Sequence, residues 1–167
     1  MKLFVSYINP IMLYNCELWA TTSTINKSID AYQRRLLRQI LNLKWPKTIS
    51  NQKLYNITKA TPWSITIQHR RLAWLGHLLR LDESTPAKRS LAEVLKEQPR
   101  KQGRPPKTWL QTIRNDIVQL KLLPNISKNE STRSLIDKIK IIAQDRETYR
   151  VLMKCCISRK GCPKLLL

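Results

Sequence analysis

Glycine occurs only three times in 167 residues, at positions 76, 103 and 161, against nine prolines. Two-residue hairpins and phosphate-cradling loops depend on residues that take positive φ at little cost, which is chiefly a property of glycine. The scarcity argues against P-loop, Rossmann and multi-hairpin β architectures, and no segment alternates apolar and polar side chains as a half-buried strand does. With 42% hydrophobic residues and five tryptophans, the chain has the apolar surface to offset ordering entropy, so it is no disordered basic tail. An all-α fold, a small helical bundle in two lobes, is the expectation.

The apolar positions support this segment by segment. Ile29, Tyr32, Leu36, Leu37, Ile40 and Leu43 share one side of a helix within residues 24–43, with Lys27, Arg34, Arg35 and Arg38 opposite. Ser50 to Ile57 suits a short helix. Thr61-Pro62 reads as an N-cap followed by proline at the first helical position, opening a helix that runs to about Leu81. Pro105 and Pro106 forbid helix before Lys107, after which Thr108 to Gln111 has capping-box spacing and Trp109, Ile113, Ile117 and Leu120 follow at helical period. One further helix is expected from Ser131 to Lys154. The stretch 82–106, with Pro86, Pro99, Pro105 and Pro106 and a modest helical patch around Leu91 to Lys96, reads as a Pro-rich linker or basic arm between a lobe at 1–81 and a lobe at 107–154, and 155–167 as a basic Cys-containing tail. Trp19, Trp74 and Trp109 are expected in the core, where large rings bury most area.

Charge then points to a partner. Thirty-one Lys and Arg against eleven Asp and Glu leave a net charge of +20, more useful as attraction to a polyanion than for solubility. The excess is uneven: residues 1–26 hold one Lys and one Glu, whereas 27–60 hold eight basic side chains and one acidic. Nucleic acid is the expected partner, bound through Arg34, Arg35 and Arg38, through Arg70, His77 and Arg80, and through Arg100, Lys101, Arg104 and Lys107. In the last group a Gly-Arg-Pro core resembles an AT-hook, in which an extended backbone lets cations enter a minor groove or line phosphates.

No cofactor and no metal site is expected. Metal-assisted phosphoryl transfer needs converging carboxylates, and the chain offers only the adjacent Asp82 and Glu83, and Asp137, Asp145 and Glu147 among Lys and Arg on one helix, which read as solvated or ion-paired charge. His69 and His77 stand eight residues apart, about 12 Å along a helix, too far to share an ion. With Arg70 and Arg80 they form a polar arc opposite Trp74. Cys155, Cys156 and Cys162 lack the paired spacing of zinc ligands. Four cysteines without a dense framework suit a reducing, intracellular setting. Asn9, Pro10, Asn15 and Glu17 interrupt the one segment that imitates a signal peptide, and no apolar run approaches membrane-spanning length.

Four segments taken in order carry a resemblance: Tyr14-Asn15-Cys16-Glu17-Leu18-Trp19, the basic Tyr32-Gln33-Arg34-Arg35-Leu36-Leu37-Arg38-Gln39-Ile40-Leu41, Arg70-Arg71-Leu72-Ala73-Trp74-Leu75-Gly76-His77-Leu78-Leu79-Arg80, and Gly103-Arg104-Pro105-Pro106-Lys107-Thr108-Trp109-Leu110. Together, over about residues 8–122, they resemble the post-polymerase region, thumb side and downstream, of non-LTR (LINE-type) retrotransposon reverse transcriptases. Asn15 stands where that family usually has Gly. The family's Tyr/Phe-x-Asp-Asp turn and palm carboxylates have no counterpart here. The resemblance therefore implies a fragment that holds template RNA or a primer–template duplex in a nuclear or cytoplasmic ribonucleoprotein, without catalysis of its own. A non-functional truncated retroelement remnant, a module docking on the parent polyprotein's other domains through the apolar residues 1–26, and a metal-dependent nuclease using Asp82 and Glu83 are the competing expectations.

Overall fold

Residues 1–96, 103, 107–120, 122–123 and 130–157 are described in a computed structural model, those from 155 onward as backbone only. All regular structure among them is helical: a π-helical turn at Phe4–Ile8, a 3₁₀ turn at Cys16–Leu18, and α1 Asn9–Met12, α2 Ser23–Ile40, α3 Asn51–Thr58, α4 Trp63–Arg80, α5 Pro86–Val94, α6 Trp109–Leu120, α7 Thr132–Gln144 and α8 Arg146–Ile157. The chain divides into two compact units, Met1–Gln68 and His69–Leu167, and α4 contributes to the core of each.

The first unit closes around Phe4, Leu13, Cys16, Leu37, Leu54, Trp63 and Ile67. Trp63, only 1% exposed, is its centre: the ring stacks on Phe4 at 6.0 Å between centroids, and Nε1 donates to Asn9 Oδ1 at 2.9 Å. This tryptophan, rather than Trp19, fills the core. Trp19 is 36% exposed because the chain leaves the 3₁₀ turn there in extended conformation, off helical spacing.

Helix ends in this unit are closed by side chains. Thr22 accepts from Ile25 N at 3.2 Å and Ser50 from Lys53 N at 3.3 Å, each an N-cap. The start of α4 is served from α2: Trp63 N donates to Gln33 Oε1 at 3.0 Å and Ser64 N to Asp30 Oδ1 at 2.9 Å. Ser64 Oγ also donates to Asp30 Oδ2, and Gln33 Nε2 donates to the Thr61 carbonyl. The one acidic residue of 27–60 thus lies at a helix N-terminus, where the helix dipole favours a carboxylate, and the buried Gln33 amide both donates and accepts there.

With so few glycines, other residues fill the left-handed positions: Asn15 (φ 55°), Asn42 (φ 51°) and Lys59 (φ 53°). At the end of α2, Leu43 N donates to Arg38 O and Asn42 N to Gln39 O, the two bonds of a Schellman close with Asn42 as its left-handed residue. A lysine has no side-chain compensation for a left-handed backbone, which costs roughly 1–2 kcal/mol. Lys59→Gly is therefore expected to raise stability by up to about 1 kcal/mol, after the larger entropy loss of glycine on folding. A thermal melt with an unchanged or lower midpoint would count against it.

The second unit packs α4 to α8 around Leu72, Leu75, Leu78, Leu79, Leu91, Ile113, Ile117, Leu135, Ile136, Ile139, Tyr149 and Leu152. Trp74 and Trp109, expected in the core, lie partly buried at its margin. The expected division at residue 81 is not where the contacts separate. Leu91 of α5 is buried in this core, and the buried Lys88 donates from Nζ to the Leu79 carbonyl at 2.8 Å, a lysine closing the last turn of α4. Residues 86–94, read as part of an arm, are therefore an integral helix, opened by Pro86 at its first position.

The single helix expected over 131–154 is two, α7 and α8, broken at Asp145 (ψ 108°). Asp145 is an N-cap: Oδ1 accepts from Glu147 N at 3.0 Å and Oδ2 from the Thr148 hydroxyl. Those hydrogen bonds, that of Thr148 first, hold its carboxyl below the usual range. The break lets α8 fold back so that Tyr149 reaches α4, where its hydroxyl donates to Leu72 O at 2.7 Å. Burial pushes that phenol's pKa well above its ordinary value. Gly76 exists for this contact, since a Cβ there would lie 2.3 Å from Tyr149 Cε1.

Candidate nucleic-acid interface

The expected contact residues fall in both units. Arg34, Arg35 and Arg38 belong to the first; Arg70, His77, Arg80 and Lys107 belong to the second. Arg100, Lys101 and Arg104 lie outside the described residues.

On α2 the three arginines do not form one outward face. Positions 34 and 38 are a turn apart and both turn toward α3, whereas Arg35 is exposed. Arg38 Nη2 donates to Asn51 Oδ1 at 2.7 Å and reaches Ile49 O at 3.5 Å. Burial raises the pKa of the Tyr55 phenol and the neighbouring Arg34 partly offsets this, while the phenol donates to Gln33 Oε1 at 3.3 Å. Arg38 thus ties α2 to α3 while keeping its charge near the surface.

In the second unit, Arg80 Nη1 donates to Ala143 O at 3.1 Å, near the C-terminus of α7, where a cation meets carbonyls left over by the helix. Arg70 is half-buried and His77 and Lys107 are exposed. His77 does not lie opposite Trp74: the two rings are 5.2 Å apart, because residues three apart are neighbours on a helix surface. Burial, and then the charge of Arg70, lowers the pKa of His69.

The carboxylates are occupied structurally. Asp82 accepts from the amide and hydroxyl of Ser84, and its pKa is lowered chiefly by the hydroxyl. Glu83 Oε1 stands 3.9 Å from both Lys88 and Lys140. Among the described residues no three His, Cys, Asp or Glu side chains gather as a metal would require, and no helix is long and apolar enough to cross a membrane.

Several exposed groups in the first unit escaped the sequence reading. Lys44, Lys47 and Lys53 are exposed beside Arg35's helix, on and after the α2–α3 loop, and between the first two stands Trp45, 87% exposed. The signal was present in the run Lys44-Trp45-Pro46-Lys47, a basic pair with an aromatic interleaved. The missed group in the second unit is internal: Arg71, 1% exposed, donates from Nε to Asp116 Oδ2 at 2.7 Å, joining α4 to α6. Compared with family models, with curated proteins and with solved structures, the chain matches none.

Proposed function

We propose that this chain is a nucleic-acid-binding module without catalysis of its own, akin to the post-polymerase part of a non-LTR reverse transcriptase, that holds RNA or a primer–template duplex through its basic helices. The observation that carries this reading is the exposed cation set of the first unit, Lys27, Arg35, Lys44, Lys47, Lys53 and Lys59, with Asp30, the one acidic residue of 27–60, turned inward to cap α4. An excess of exposed positive charge attracts a polyanion and makes contacts to phosphates, which carry no base identity. The partner is therefore nucleic acid, with slight sequence preference. Of the candidate carboxylates, Asp145 caps α8, Asp82 accepts from Ser84, and Glu83 stands near Lys88 and Lys140.

Two measurements test the proposal. The purified chain should bind a labelled RNA oligonucleotide and a duplex in a fluorescence anisotropy titration at low salt, with affinities that vary little between sequences. Primer extension with Mg²⁺ and deoxynucleotides should stay at background. Absence of binding to both nucleic acids would overturn the proposal, and extension by the pure chain would overturn its non-catalytic part.

A further inference from the structure

Trp45 is the most exposed large apolar side chain of the described residues, at 87%. An indole offers a large apolar area, and leaving it in water forgoes the burial that stabilises the other rings. Its setting is fixed at both ends. The Schellman close holds Leu43 onto the last turn of α2, and Arg38 ties Ile49 O and Asn51 back to the same helix. Leu43 and Ile49 both pack against the first unit's core. The loop is thus anchored while the ring between its anchors projects into solvent, with Lys44 and Lys47, both exposed, on either side.

Resting on the nucleic-acid reading above, we infer that Trp45 is a stacking platform for an unpaired base, so that the first unit takes single-stranded nucleic acid in preference to duplex. An apolar face flanked by two cations is complementary to a ligand that presents flat π-surfaces on an anionic backbone, which is what an unpaired strand offers and a closed duplex does not. A base on an aromatic ring contributes through a surface common to all four bases, which agrees with slight sequence preference.

The test compares a 12-nucleotide oligouridylate with an abasic strand of equal length, which keeps the phosphates and lacks the bases. The base-bearing strand is expected to bind about five- to a hundredfold more tightly, and to quench part of the tryptophan fluorescence. Trp45→Ala should bring its affinity down toward that of the abasic strand, while Trp45→Phe keeps most of the preference. Because the ring makes no core contact, both variants should melt with the parent chain. Equal binding of the two strands by the parent chain would overturn the stacking role and leave the electrostatic reading standing, whereas binding of neither would remove both. Trp45-dependent binding to vesicles of phosphatidylcholine and phosphatidylserine, without discrimination between the strands, would assign the ring to a membrane surface and overturn the inference.

Discussion

Asp116→Ala is expected to cost about 3–5 kcal/mol, because it removes the carboxylate that faces the buried Arg71 guanidinium in the second unit's interior. The two side chains are 1% and 8% exposed, and the carboxylate oxygen is 2.7 Å from Nε, so water cannot take over the lost partner without opening the α4–α6 contact. Set against a typical domain stability of about 5–15 kcal/mol, such a loss should be visible as a large fall in the urea midpoint of the second unit. Replacing both partners, Arg71→Met with Asp116→Leu, should recover most of it, since apolar residues of similar volume avoid the desolvation of either charge. Equal damage from the double and the single variant would show that the pair does more than satisfy itself. A loss below about 1 kcal/mol in Asp116→Ala would place the pair among those that water screens.

The same pair shows what was legible in the sequence and what was not. The all-helical class followed from three glycines and from apolar spacing, and α2, α3, α4 and α6 lie within a few residues of where that spacing puts them. Arg71 could have been found: Ile67, Arg71, Leu75 and Leu78 share one stripe of α4, as Ile113, Asp116, Ile117 and Leu120 share one of α6. A cation set in one apolar stripe and a carboxylate in another are complementary, but periodicity scores each as an error in its own helix and cannot show that the two errors meet. The break at Asp145 was missed for a related reason. Aspartate is tolerated on a helix surface and favoured at an N-cap, and only the contact of Tyr149 with Gly76 decides between them. Residues 82–106 read as an arm because proline breaks a helix interior, whereas Pro86 stands at the first position of a helix, where proline starts one.

The candidate contact residues are legible as a charge and not as a geometry. The apolar period puts Arg34, Arg35 and Arg38 on one outer face, yet a helix turns by 100° per residue, so two of them face α3 when the third faces water. Arginine serves both purposes well, since its long stem reaches a carbonyl or amide while the charged head stays near solvent. Lys44, Lys47 and Lys53 lie in or after a loop, where no periodic pattern draws attention to them. The uncharged segment presents the opposite case. Its low charge is plain, but Phe4 and Leu13 turn into the core while Leu3, Tyr7, Ile11 and Tyr14 remain largely exposed, a division set by the wide π-helical turn and the tight 3₁₀ turn rather than by an α-helical period.

The largest expected effect is the response of binding to salt. If about eight phosphates are neutralised, counterion release gives a slope of log affinity against log salt near −6 for a single strand and near −7 for duplex DNA, so affinity falls by about 10³- to 10⁴-fold between 50 and 200 mM. On the proposed reading the exposed cations supply it. Replacing Arg34, Arg35 and Arg38 with Gln would mix lost phosphate contacts with a loosened α2–α3 junction, because Arg38 holds Asn51 and Ile49. Exchanging Arg35, Lys44, Lys47 and Lys53 for Gln removes four exposed charges and should flatten the single-strand slope by about 3, leaving a fall of only about fiftyfold over the same salt range. The thermal midpoint should stay near that of the parent chain, since surface substitutions of this kind shift stability by only about 0.5 kcal/mol each. An unchanged slope in the quadruple variant would move the contacts to the second unit, where Arg70, Lys107 and the cations of α7 and α8 become the next to exchange. A slope near zero in the parent chain would mean that its excess positive charge serves something other than phosphate neutralisation.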